Sequence, residues 1–157
     1  MRLRNVRIEG DFDSIPIPGD DEHRLTARAV WIAWEWRTDG DDAWRSERLM
    51  IPDHTRWDGA SRPGIVGWLV PRWGVFSAAS LGHDYAFRHR PFLSNGQRIS
   101  RKHTDLLFLA LMRRLASERV TGGWKAAAQL WLAEVMYRAV RWFGESTWDK
   151  HDAEFAS

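Results

Sequence analysis

A chain of 157 residues, 44% apolar and 28% charged, has enough material for one hydrophobic core and the wrong composition for disorder. It holds no cysteine, which excludes a disulfide framework, a thiolate zinc site, an iron–sulfur cluster and a cysteine nucleophile, so any metal must be held by His, Asp or Glu. Its 23 basic residues nearly balance 21 acidic ones, so the net charge of +2 gives no support to a nucleic-acid partner.

In chain order, strand-like text fills the first third, over residues 3–8, 25–36 and 47–51, separated by Pro16, Pro18-Gly19 and Asp39-Gly40-Asp41-Asp42. Asp39-Gly40 reads as a hairpin turn. Residues 52–72 are crowded with Gly, Pro and Trp and show no period, as expected of a structured loop. The second half turns helical. Ser77 is placed to cap a helix to about residue 89, Ser100 another over 101–117, and Gly122-Gly123 precedes a third over 124–143. In that third helix Ala128, Leu132, Val135, Met136, Ala139, Val140 and Phe143 share one stripe, the expected buried face. The fold class expected is α+β in a single domain: a small antiparallel sheet from residues 1–55, a loop over 56–76, about three helices packed on one side over 77–145, and a tail over 146–157. The longest apolar run, residues 106–112, is far below the roughly 20 residues of a membrane span, and the basic N-terminus has no apolar segment behind it, so neither a span nor a secretory signal is expected.

Charge and tryptophan are unevenly used. Residues 9–22 hold six acids and no base, residues 88–119 hold eight bases against Asp105 and Glu118, and mutual pairing of the two regions is the simplest expectation. Of the basic residues, 20 are Arg and three are Lys. Among 11 tryptophans, Trp131 and Trp142 share a helix face expected near the core, whereas Trp57, Trp68 and Trp73 fall in the loop, where they would form a contact surface.

Three polar clusters sit beside apolar sequence: Asp58-Gly59-Ala60-Ser61, His83-Asp84-Tyr85, and residues 100–105 ending in Asp105. His83 and Asp84 follow a small-residue run, Ala78-Ala79-Ser80-Leu81-Gly82, that packs tightly, so both should be partly buried and need partners, with Asp58 and Asp105 the nearest candidates. One imidazole with two or three carboxylates suits a divalent cation, with His83, Asp84 and Asp58 as ligands and Asp58, Ser61, His83, Asp84 and Asp105 as a catalytic set. The same residues suit, as the simpler expectation, a hydrogen-bonded network that anchors the loop to the helices. The order His54, His83-Asp84, Asp105 imitates a metal phosphohydrolase. A Ser–His–Asp triad lacks its Gly-x-Ser-x-Gly elbow, and no Gly-rich phosphate loop is present.

Four segments, in order, carry a resemblance: Ile51-Pro52 leading to Asp58-Gly59-Ala60-Ser61-Arg62-Pro63; Ala78-Ala79 leading to His83-Asp84-Tyr85-Ala86-Phe87-Arg88; Ser100-Arg101-Lys102 leading to Asp105, Phe108 and Met112; and Tyr137-Arg138-Ala139-Val140-Arg141 leading to Phe143-Gly144 and Trp148. Together they resemble a family of phage and prophage proteins known as domain of unknown function 1353, in which a glycine stands where this chain has His54. The resemblance implies a phage origin and no established activity. Two classes of function are therefore expected. One is a virion component of the tail tip, baseplate or neck, made in the host cytoplasm and held by other phage structural proteins or by self-assembly. The other is a small metal-dependent hydrolase acting on the host envelope. Abundant Trp, and Arg in place of Lys, favour the first.

Overall fold

The computed structural model of the chain describes residues 1–57, 74–119, 122–145 and 148–149. Its architecture is α+β. Strands β1 (Arg2–Glu9), β4 (Val30–Arg37) and β5 (Arg45–Ile51) form one antiparallel sheet in the order β1-β4-β5; β2 (Ser14–Ile17), β3 (Asp20–Thr26) and β6 (Arg56–Trp57) form a second, in the order β2-β3-β6.

The single strand expected over 25–36 is thus two strands in different sheets. Thr26 is where the chain changes sheet. Its N–H donates to the Thr55 carbonyl at 3.0 Å, its carbonyl accepts from His54 N–H at 2.8 Å, and its Oγ1 donates to the Pro52 carbonyl and accepts from Thr55 N–H, each at 2.9 Å. With every polar group taken by the 52–55 turn, Thr26 has nothing left to extend a ladder. Pro16, expected to separate strands, lies inside β2 instead, which an edge strand tolerates because one row of its amides needs no partner.

Strand β4 is central in its sheet, and Val30, Ile32, Trp34 and Trp36 point from one face into the core. Its hairpin to β5 turns through Asp39-Gly40, with Gly40 at φ +96°. On the sheet's other face, guanidinium groups lie over indole rings: Arg4 and Arg37 stand 4.0 and 4.8 Å from the centre of Trp44, and Arg48 stands 4.7 Å from that of Trp31. Such stacks favour a flat, weakly hydrated cation, which accounts for part of the preference for Arg over Lys.

Helices α1 (Ser77–His89), α2 (Arg101–Arg119) and α3 (Gly123–Phe143) follow. Ser100 caps α2 as its spacing suggests, accepting the His103 N–H at 3.2 Å. Ser77 does not cap α1; it is the first helical residue, and its Oγ accepts the Gly74 N–H at 2.8 Å. Gly82 lets α1 press onto the sheet, since a Cβ there would collide with Ile32 Cδ1 on β4. Helix α2 touches β1, α1 and α3, so α3 is the outer layer. Ile32, Ile51, Leu81, Leu107, Leu111 and Met112 lie at the centre of the core.

Four further expectations are corrected here. The buried face of α3 is narrower than expected: Leu132, Ala133, Met136 and Ala139 are buried against α2, while Ala128 and Phe143 are exposed. Trp131 and Trp142, expected near the core, lie on the opposite side in solvent. Trp57, expected in a contact surface, is only 1% exposed. Pairing of β6 with β3 turns Arg56 outward and Trp57 inward, where its ring meets that of Phe12 edge-on at 5.7 Å. Of the acids of residues 9–22, Glu9 pairs with Arg7 and Arg48 and Asp20 with His23 and Arg56, and among the described residues none is paired with 88–119.

Candidate functional site

The small side chains of Ala78, Ala79 and Gly82 sink α1 against its neighbours, and this carries the next two residues inward. His83 and Asp84 are 7% and 8% exposed. Opposite them, on the second turn of α2, Asp105 is completely buried. His83 Nε2 lies 2.9 Å from Asp105 Oδ1, and His83 Nδ1 lies 3.7 Å from Asp84 Oδ1. The imidazole is held between Phe87 and Phe108, with ring centres 5.5 and 4.8 Å away.

The far side of Asp105 is taken by α3. Arg141 donates to Asp105 Oδ2 at 2.9 Å, and Arg101 Nε stands 3.8 Å from the same oxygen. Arg101 also donates to the carbonyls of Val140 and Arg141, in the last turn of α3, where carbonyls have no intrahelical partner and the helix dipole is negative. One buried carboxylate therefore joins three helices: α1 through His83, α2 through its own backbone and Arg101, and α3 through Arg141. Nearby, Arg90 ends α1 in the left-handed region at φ 43°, lies over the Trp148 ring at 3.9 Å and donates to the Trp148 carbonyl.

Burial opposes a charge on His83, but the hydrogen bonds to Asp105 and Asp84 and their negative charges outweigh it, and its pKa is raised to about 9. At neutral pH it is an imidazolium with a proton on each nitrogen. That form has no lone pair for a metal ion and no capacity to act as a general base. A metal ion binding through His83 would have to displace one of these protons; among the described residues, no three His, Asp or Glu side chains are placed to hold one. Asp58 and Ser61, the other members of the expected catalytic and metal set, lie outside the described residues, as do Trp68 and Trp73 of the expected contact surface.

A second buried histidine lies within the polar cluster 100–105 but is not among the expected site residues. His103, also on α2, accepts the Trp34 indole N–H at 2.9 Å and packs against the rings of Trp34 and Trp36. Burial pushes its pKa down to about 4, against a weak opposing pull from Glu47. Glu47 is itself occupied, accepting the Trp36 indole N–H at 2.8 Å and the Ser94 N–H and hydroxyl. Arg101 and Arg141 were also missed as members of the site. Arg101 could have been found, because it precedes Asp105 by four positions, the spacing of facing residues on a helix.

The other unusual feature is on the surface. Trp124, Trp131 and Trp142 of α3 are 77%, 59% and 73% exposed. At about 100° per residue, positions 124, 131 and 142 fall within roughly 20° of one another, so the three rings form a single ridge along the helix. Ala127, Ala128 and Arg138 are exposed on the same face, and Val135 lies within it.

A family model described as protein of unknown function (DUF1353) matches residues 34–140. That span contains His83, Asp84, Arg101 and Asp105 and ends one residue before Arg141. No curated protein and no protein of known structure matches the chain.

Proposed function

For this chain, which belongs to the DUF1353 family, we propose a structural role: a phage virion component, of the tail tip, baseplate or neck, that makes permanent protein contacts. The observation that carries this reading is the tryptophan ridge of α3. Three indoles exposed on one helix face are costly to leave in water and are the residue type that dominates protein interfaces. The contact surface is thus assigned to Trp124, Trp131 and Trp142, with Trp57 withdrawn into the core.

The polar cluster supports the same role. Asp105 is paired with His83 and Arg141 and stands beside Arg101, and this geometry joins three helices, which orients the ridge on α3 relative to the rest of the molecule. The competing role, a metal-dependent hydrolase, requires His83 to surrender a proton held with a pKa of about 9. Mass spectrometry of purified virions from a host carrying the phage tests the proposal. The protein should be present in the particle, and a Trp131→Ser variant, folded and soluble, should be depleted from it. Absence of the wild-type protein from virions, together with stoichiometric Mn²⁺ or Zn²⁺ uptake lost in His83→Ala, would replace the structural role with the hydrolase.

A further inference from the structure

We infer that the tryptophan ridge of α3 pairs with the same ridge of a second copy of this chain, with the two helices antiparallel. The inference rests on reading that face as a contact surface, and it names the occupant. The spacing along the ridge is self-complementary under a two-fold axis that crosses the outer face of α3 at the level of residue 133. Such an axis sets Trp124 of one copy opposite Trp142 of the other at both ends, sets Trp131 opposite Val135 in the middle, and sets the long Arg138 opposite the small Ala128. The ridge spans about 27 Å, so the contact would run nearly the whole length of α3.

Charge favours the same arrangement. A parallel pair would place Arg138 against Arg138, whereas the antiparallel pair places it over alanine, where its aliphatic stem covers apolar surface. The acid nearest the axis, Glu134, is already neutralised within its own chain by Arg113. Area is also sufficient. At the exposures given above, the three indoles alone offer about 500 Å² per copy. Two copies would cover about 1,000 Å², the lower bound for a specific interface. Packing of Leu132, Ala133, Met136 and Ala139 against α2 leaves the ridge on the outside of the molecule, free of the fold's own core.

The absence of cysteine from the chain makes disulfide trapping a clean test. Ala128→Cys and Arg138→Cys are made separately in the full chain and oxidised alone and mixed. The mixed sample should give the heterodisulfide in high yield and each variant alone little, because two copies of position 128 would lie about 15 Å apart along the helix axis. Sedimentation velocity of the wild type should show a dimer at roughly 100 µM. Trp131→Ser should sediment as a monomer with unchanged circular dichroism and melting temperature. A homodisulfide of Ala128→Cys as the main product would overturn the antiparallel arrangement. A monomeric wild type would overturn the pairing itself, whether or not the chain then binds anionic vesicles through the ridge. If the chain is monomeric yet present in virions, the pairing fails while the structural role stands; if it is a dimer absent from virions, the reverse holds.

Discussion

His83 and His103 are both buried, both touch α2 and both lie against aromatic rings, yet one is a cation and the other is neutral. The difference lies in what meets the ring nitrogens. At the helical end of the molecule, His83 faces two carboxylates, and the structure around it is a set of paired charges. At the seam between α2 and the sheet, His103 faces an indole N–H, and protonation would put two donors head to head. Burial alone therefore does not fix the state of an ionisable group; the partner does.

The largest expected effect removes the partner. Asp105→Asn leaves the His83 imidazolium and Arg141 buried or half-buried beside a neutral amide, which should cost about 3–5 kcal/mol in denaturant unfolding. It should also return His83 toward the state of His103, which an NMR titration of the imidazole would register as a large fall in pKa. A loss under 1 kcal/mol would mean that the cluster does not hold the helices together.

Next in size is the pH dependence, where the two histidines act in opposite directions. His83 has a folded pKa of about 9 against 6.5 unfolded, so its contribution is complete below pH 6.5 and lost as pH rises through 9, about 3 kcal/mol in all. His103 has a folded pKa of about 4, so its contribution is complete above pH 6.5 and lost as pH falls toward 4. Stability should peak near pH 6.5. His83→Gln should flatten the alkaline side of that peak and leave the acid side, and His103→Gln should do the converse. If both variants flatten the same side, one of the two charge states is misassigned.

Smaller effects sharpen the contrast. Trp34→Phe takes the donor from His103 Nε2 and leaves that nitrogen buried without its partner, at a cost of about 2 kcal/mol, and should raise the His103 pKa while leaving that of His83 in place. Ser100→Ala removes the cap that holds the His103 N–H and should cost about 1 kcal/mol, with neither pKa moved. Thermal unfolding and one-dimensional NMR would separate the two outcomes.

The sequence made some of this legible and hid the rest for definite reasons. His83, Asp84 and Asp105 stood out because polar groups beside small apolar residues must be buried and must find one another. Arg101 and Arg141 did not stand out in a chain so rich in arginine, although the four-residue step to Asp105 was there to be read. The helices were readable from period and punctuation. The break between β3 and β4 was not, because it depends on Thr26 meeting a turn that is 26–29 positions away. Periodicity also fixed which tryptophans share a face of α3 without telling which of two competing apolar faces would meet α2; the small residues around Ala133 and Ala139 won the close approach. For Trp57, a two-residue strand leaves almost no signal, so an inward ring was mistaken for a loop ring.

The stitching at Thr26 also bears on the order of folding. Its bonds to Thr55 bridge 29 positions, an expensive loop to close in an open chain. Once β4 has zipped to β5 and set Val30 opposite Ile51, Thr26 and Thr55 are each only four positions from a formed pair, and the closure becomes cheap. The pairing of β6 with β3 should then follow that of β4 with β5, on a hairpin that already exists. Thr26→Val, which keeps the shape and removes the hydroxyl, should accordingly speed unfolding and leave the folding rate nearly unchanged.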